Sequence, residues 1–293
     1  MNSLITHRYV QPIYRKLLHQ IGDRQKGKNV FSEDWDCCIV LDACRYDLMD
    51  SVIPDYNFLD DLGSIWSVDS KTHAWLEKTV DRTGVETLEQ TAYVTGNPFS
   101  DYVLDGNPFG KLDEVWRYAW DDDFGTVPPR PITDRAIRIG RSSEFDRLLV
   151  HYMQPHVPFL DWEKQQPLKM GNFGAEEQAV EDTWGRLRAG EVEEDDVWSA
   201  YRRNLEIVLD DIEILLNNVD APRTVITSDH GNGMGEWGIY GHPLHMPFEP
   251  LRRVPWIRTT AEDGATHSPK QYTTTEDDSM IENRLRALGY TSD

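Results

Sequence analysis

The feature that most limits this chain is a series of short, unbroken apolar runs, each closed by a polar or turn residue: CCIVLD (37–42), AYVTG (92–96), RLLVHYM (147–153), TVITSD (224–229) and VPWIRT (254–259). A strand with one wet face alternates apolar and polar residues, whereas continuous runs need cover on both faces. Stretches with helical spacing lie between them. The clearest is 198–218, WSAYRRNLEIVLDDIEILLNN, where Leu205, Val208, Leu209, Ile212, Leu215 and Leu216 form one stripe opposite acidic residues, with Pro222 just past the end. Strands of that kind alternating with such helices specify an α/β fold, a doubly wound, largely parallel sheet with helices on both faces.

Two segments carry neither pattern, 97–131 and 161–196, and are expected to be surface excursions that shape an opening or hold minor helices. Residues 1–30 read as an N-terminal helical extension, with Val10, Ile13, Leu17 and Ile21 at helical spacing. One domain is expected over 31–262, followed by a polar segment, 263–293, that contains the short amphipathic stretch SMIENRLRALGY.

Composition removes several classes. With 51 acidic against 30 basic residues and a net charge of −21, the chain lacks the basic surface that neutralises phosphates, so no nucleic-acid partner is expected. Lysine is scarce, nine residues against twenty-one arginines, an acidic, lysine-poor balance of the kind seen in salt-loving organisms. A halophilic protein is therefore the expectation. Cys37, Cys38 and Cys44 form no disulfide framework, since neighbouring strand residues point to opposite faces. No transmembrane segment or secretory leader is visible, which with the cysteines points to the cytoplasm. The N-terminal stretch would dock on the domain, or hold it peripherally at a membrane surface.

In sheets of this class ligands bind beyond the carboxyl ends of the strands. The first run ends in IVLDACRYD, where Asp42 is either a helix cap or a ligand and Arg45 follows on the next turn. The third continues as LLVHYMQPHVPF, placing His151 and His156 around a turn braced by Pro155 and Pro158. The fourth ends in Asp229 and His230, followed by glycines at 231, 233, 235, 238 and 241 and then His242. An Asp and a His at a strand end form an oxygen-plus-nitrogen donor set suited to Zn²⁺ or Mn²⁺, and the glycines let backbone wrap a ligand closely.

Together VLDACRYD, HYMQPHVPF, TVITSDHG and GEWGIYGHP resemble the alkaline phosphatase superfamily, in its sulfatase-like and phosphoglycerol-transferase-like branch of haloarchaeal type, over about residues 36–260. The resemblance implies a catalytic domain that holds one divalent ion (Mn, Zn, Mg or Ca), or two, beside a hydroxyl or formylglycine nucleophile. By position it makes Asp42, Asp229, His230 and Thr72 metal ligands, with Thr72 also the nucleophile and Ser70 its substitute, both within SIWSVDSKTHAWLEKT. His156 and His242 take the places that contact the anionic group or the leaving oxygen. His151, Arg45 and Ser70 become substrate contacts. Asp210 or Asp211 with His156 is the one candidate for a second metal pair. The Cys-x-Pro-x-Arg pattern that matures to formylglycine is absent, so phosphate esters are expected ahead of sulfate esters. The implied function is a metal-dependent hydrolase or transferase, phosphodiesterases included, acting on a small-molecule, lipid or glycan ester. The alternative is a degenerate metal-binding scaffold of the same fold.

Overall fold

The computed structural model describes residues 18–59, 61–163 and 183–272. Most of the expected N-terminal extension, the middle of the 161–196 excursion and the SMIENRLRALGY stretch lie outside them.

A seven-stranded sheet forms the centre, in the order β2-β9-β6-β1-β5-β3-β4. The strands are β1 (Cys37–Asp42), β2 (Gly63–Trp66), β3 (Thr91–Thr95), β4 (Lys111–Glu114), β5 (Arg147–Pro155), β6 (Ala221–Ser228) and β9 (Arg253–Ala261). β6, β1, β5, β3 and β4 run parallel, whereas β9 is antiparallel to β6 and to β2. A separate two-stranded hairpin pairs β7 (Gly233–Met234) with β8 (Tyr240–Gly241).

Every residue of β1 is buried. Its pleat sends Cys37, Ile39 and Leu41 into one core, with Ile132, Ala136 and Ile137 of the Pro129–Gly140 helix and Leu205, Val208 and Ile212 of the Glu194–Leu216 helix. Cys38 and Val40 face the other way, onto Trp35 and onto Trp75 and Leu76 of the Thr72–Asp81 helix. Burying one such Val, Ile or Leu contributes about 1.5–3 kcal/mol, which is why this strand sits at the middle of the sheet. The sheet is covered on both faces, as the unbroken runs require.

The long helix begins at Glu194, earlier than its apolar stripe shows. Its first turn is Glu194, Asp195 and Asp196, acidic side chains that favour the positive end of the helix dipole. Two strands escape sequence reading. β4 has the sequence KLDE and turns part of the 97–131 excursion into a parallel edge strand, where polar side chains tolerate the open side. β2 is four residues at the opposite edge. The antiparallel direction of β9 is equally invisible in VPWIRT, because an apolar run has no direction.

Candidate functional site

Sheet register brings the first two acidic candidates together. In the parallel β1/β6 pair Leu41 lies opposite Ser228, so the next residues, Asp42 and Asp229, emerge side by side at the carboxyl end. Asp229 Oδ1 accepts the backbone N–H groups of Ala43 at 2.9 Å and His230 at 2.7 Å. Asp42 Oδ2 accepts Asn97 Nδ2 at 2.7 Å. The other oxygen of each, Asp42 Oδ1 and Asp229 Oδ2, is buried and has no hydrogen-bond partner.

His230 closes the group. Its Nδ1 donates to the Gly231 carbonyl at 3.1 Å, which leaves Nε2 as a lone pair. That nitrogen lies 3.4 Å from Asp229 Oδ2 and 3.8 Å from Asp42 Oδ1. Ligand atoms of Asp42, Asp229 and His230 all fall within 4.8 Å of one another. Two unpartnered carboxylate oxygens and an imidazole lone pair converging in a buried space fit a divalent cation, because only a positive charge satisfies all three. Burial, and then the charge of Asp229, push the Asp42 carboxyl well above its usual range.

Thr72 opens the Thr72–Asp81 helix, whose buried residues Ala74, Trp75 and Leu76 seat it against the sheet. Its Oγ1 lies 3.1 Å from His230 Nε2. Ser70 is placed otherwise: its hydroxyl donates to the Pro243 carbonyl at 2.7 Å and accepts the Met246 N–H at 2.8 Å.

The histidines gather around the same point. His156 Nδ1 donates to the Val157 carbonyl, and its Nε2 faces His242 Nε2 at 2.8 Å. His242 in turn stacks on His230, ring centroids 4.7 Å apart. The turn bearing His156 is held by its N–H on the Asp42 carbonyl at 3.0 Å and by Asn204 Nδ2 on the Pro155 and His156 carbonyls. Burial pushes the His156 imidazole down to about 4 and His242 well below its ordinary value, so both rings are neutral near pH 7. His151 lies deeper, fully buried, with Nδ1 3.0 Å from the Tyr93 hydroxyl and Nε2 3.9 Å from Asp229 Oδ2; burial takes it to about 4 as well. It backs the site rather than lining an opening.

Arg45 also departs from the role expected of it. Its guanidinium is engaged by Asp47 through Nε at 2.8 Å and Nη2 at 2.6 Å, and by Glu236 and the Asn232 carbonyl through Nη1 at 2.6 and 2.9 Å. These contacts tie the β7–β8 hairpin to the end of β1, and the hairpin returns His242 to the site. Gly231 is required there, because a Cβ would stand 2.1 Å from the Pro250 carbonyl oxygen.

Asp210 and Asp211 do not join His156. Asp210 accepts the Tyr56 hydroxyl and Asp211 pairs with Arg130, so among the described residues the Asp42, Asp229 and His230 cluster is the only metal-type group. Sequence reading missed Asn97 and Asn204. Asn97 follows the AYVTG run and obeys the strand-end rule, so a signal for it existed. Asn204 sits in a helix interior and leaves no such mark.

No protein-family model matches the chain, and no curated protein matches it by sequence. Solved structures do. The integral membrane lipooligosaccharide phosphoethanolamine transferase A from Neisseria meningitidis superimposes with a TM-score of 0.53 at 11% identity, over 86% of this chain and 50% of that one. The chain shares the fold of that transferase. It spans half the length of that transferase. The soluble domain of the same transferase matches with a TM-score of 0.48 at 13% identity, over 86% of each chain. The lipoteichoic acid synthase LtaP from Listeria monocytogenes matches at 0.47 and 12% identity, over 85% of this chain and 72% of that one. Among the described residues no helix is long and apolar enough to cross a membrane.

Proposed function

We propose that the chain is a metal-dependent phosphoester hydrolase or transferase with Thr72 as its nucleophile. The observation that carries this reading is the placement of the Thr72 hydroxyl on His230 Nε2, the atom toward which the two unpartnered carboxylate oxygens converge. Asp42, Asp229, His230 and the Thr72 oxygen would hold one divalent ion. Such an ion supplies charge neutralisation for the transferring group and lowers the pKa of the hydroxyl.

The chain's own residues do the rest. Thr72 stands at a helix N-terminus, where free backbone N–H groups and the helix dipole favour the alkoxide and the incoming anion. It attacks phosphorus in line, giving a phosphothreonine that water or an acceptor alcohol then releases. His156 and His242 share one proton between facing Nε2 atoms. That neutral pair takes up the Thr72 proton as the hydroxyl attacks and passes it to the leaving alkoxide, so neither imidazole becomes an anion. Asn97 fixes Asp42 so that its second oxygen stays directed inward. Arg45 positions the hairpin and is not a substrate contact.

The absence of a Cys-x-Pro-x-Arg segment and the presence of Thr at the helix start favour phosphate over sulfate. A lipid- or glycan-borne phosphodiester is the substrate class we propose, by the likeness in fold to a transferase named for lipooligosaccharide. The acidic, lysine-poor composition supports assay in molar salt, and the three free, buried cysteines fit a reducing compartment.

The test is Thr72→Ala, assayed with bis(4-nitrophenyl) phosphate and a panel of aryl phosphate and sulfate esters with Mn²⁺, Zn²⁺, Mg²⁺ or Ca²⁺. The variant is expected to keep most of its cation affinity and to lose about a thousandfold or more in kcat. Undiminished turnover would remove Thr72 from the mechanism.

A further inference from the structure

The Thr72 turn and the His242 loop come from segments more than 150 residues apart in sequence, yet they are joined by a set of buried and partly buried bonds that the mechanism does not use. Asp69 is fully buried three residues before Thr72. Its Oδ1 accepts the N–H groups of Ser70 at 2.7 Å and His245 at 3.1 Å. Its Oδ2 accepts Lys78 Nζ at 2.7 Å and His245 Nδ1 at 2.6 Å. His245 lies three residues after His242 and is held at φ 53°, a left-handed backbone that a bulky residue keeps only where its surroundings enforce it.

Ser70 makes a second link of the same kind. Its hydroxyl donates to the Pro243 carbonyl and accepts the Met246 N–H, so it uses both its functions on the loop just after His242. Lys78, one further turn and a half along the Thr72–Asp81 helix, locks the Asp69 carboxylate from below, and Asp23 also meets Lys78 at 2.9 Å. Neither Asp69 nor Ser70 is within the cluster of Asp42, Asp229 and His230.

We infer that Asp69 and Ser70 form a clasp that sets the distance and angle between the Thr72 hydroxyl and the His242 imidazole. They are positioning residues, and the inference rests on the reading of Thr72 and His242 given above. A lateral shift of about 1 Å between a nucleophile and its partner lowers rate by about a hundredfold without removing any catalytic atom. The clasp controls that coordinate because its five residues, Asp69, Ser70, Pro243, His245 and Met246, lie within four positions of the two groups it aligns.

A double-mutant cycle separates positioning from general loss of structure. Ser70→Ala is expected to lower kcat on bis(4-nitrophenyl) phosphate by about 10- to 100-fold in the otherwise native chain, with KM changed by less than about threefold. In the His242→Ala background the same substitution is expected to change kcat by less than about twofold, because the group it positions is gone. Vanadate Kd, read in the same four proteins with Zn²⁺, is expected to follow the same non-additive pattern. Asp69→Asn, which turns two donors of the carboxylate site into a repulsive contact, provides a second, independent arm with the same expectation. Additive losses in both arms would overturn the clasp while leaving Thr72 in place. Complete inactivity of Ser70→Ala with an active Thr72→Ala would overturn it too and would make Ser70 the nucleophile. A native chain that neither hydrolyses the ester nor binds vanadate would refute the functional reading beneath it.

Discussion

Replacing Asp42 by Asn should make the cation-free protein more stable and abolish its stabilisation by a divalent cation. In the native chain Asp42 Oδ1 and Asp229 Oδ2 are buried without partners, and the ligand atoms of the group lie within 4.8 Å of one another. At a pH high enough to ionise Asp42, whose carboxyl burial and Asp229 push up, two unit charges at that separation repel by about 3 kcal/mol at an effective dielectric of about 20. The amide keeps an oxygen for the Asn97 bond and offers an N–H₂ to the unpartnered Asp229 oxygen, so repulsion is replaced by a hydrogen bond. At about 2–4 °C per kcal/mol for a protein of this size, the cation-free variant should melt on the order of 5–10 °C higher than the cation-free native chain. Zn²⁺ or Mn²⁺ at about a hundred times Kd stabilises the native chain by about 2.7 kcal/mol, and the variant should show almost none of that shift. Differential scanning calorimetry of chelator-treated protein, with and without added cation, reads both numbers. A cation-free variant that melts lower than the native chain, together with a cation shift that survives the substitution, would refute the view that these carboxylates form a cation site.

Gly231→Ala forces a Cβ to within 2.1 Å of the Pro250 carbonyl oxygen, so the backbone carrying His230 must move; Zn²⁺ affinity by titration calorimetry should fall tenfold or more, with about 1–3 kcal/mol lost in stability. Asp69→Asn should destabilise by about 3 kcal/mol at pH 7, because Lys78 and His245 lose a buried charge partner. That loss is pH-dependent. Burial alone raises the Asp69 carboxyl, but the Lys78 hydrogen bond, the Ser70 N–H and the His245 charge outweigh it and bring it below the model-peptide 3.8. A carboxyl lowered on folding stabilises above its unfolded pKa, and that stabilisation disappears as pH falls through the folded value. Urea unfolding of native and Asp69→Asn protein should therefore converge as pH drops below about 3.8, and a constant difference down to pH 2 would exclude this origin.

The strand-end rule picked out residues that the fold brings together. Asp42, His156, Asp229, His230 and His242 each follow an apolar run or a glycine-rich return, and all five gather around one point, the first, third and fourth of them buried. The rule failed for side chains with other duties. Arg45 has the right place in the sequence, but its donors face Asp47 and Glu236, a partner nearly two hundred residues away that no local pattern shows. Thr72 and, after it, Ser70 are the candidate hydroxyls in SVDSKTHAW. They are separated only by what lies opposite them, the Pro243–Met246 loop for Ser70 and His230 for Thr72.

The fold class was written in the sequence because burial on two faces leaves a direct compositional trace: a strand covered by helices on both sides has nowhere to put a polar residue. The donor types at the strand ends were written there for a related reason, since only unusual side chains interrupt such runs. Direction, order and aim were decided by tertiary structure. The antiparallel course of β9, the inclusion of KLDE as β4, and the parallel register that sets Asp42 beside Asp229 depend on which backbone each strand finds as a neighbour. Those pairings are long-range hydrogen bonds between main-chain groups that every residue carries, so they leave no side-chain signature to read.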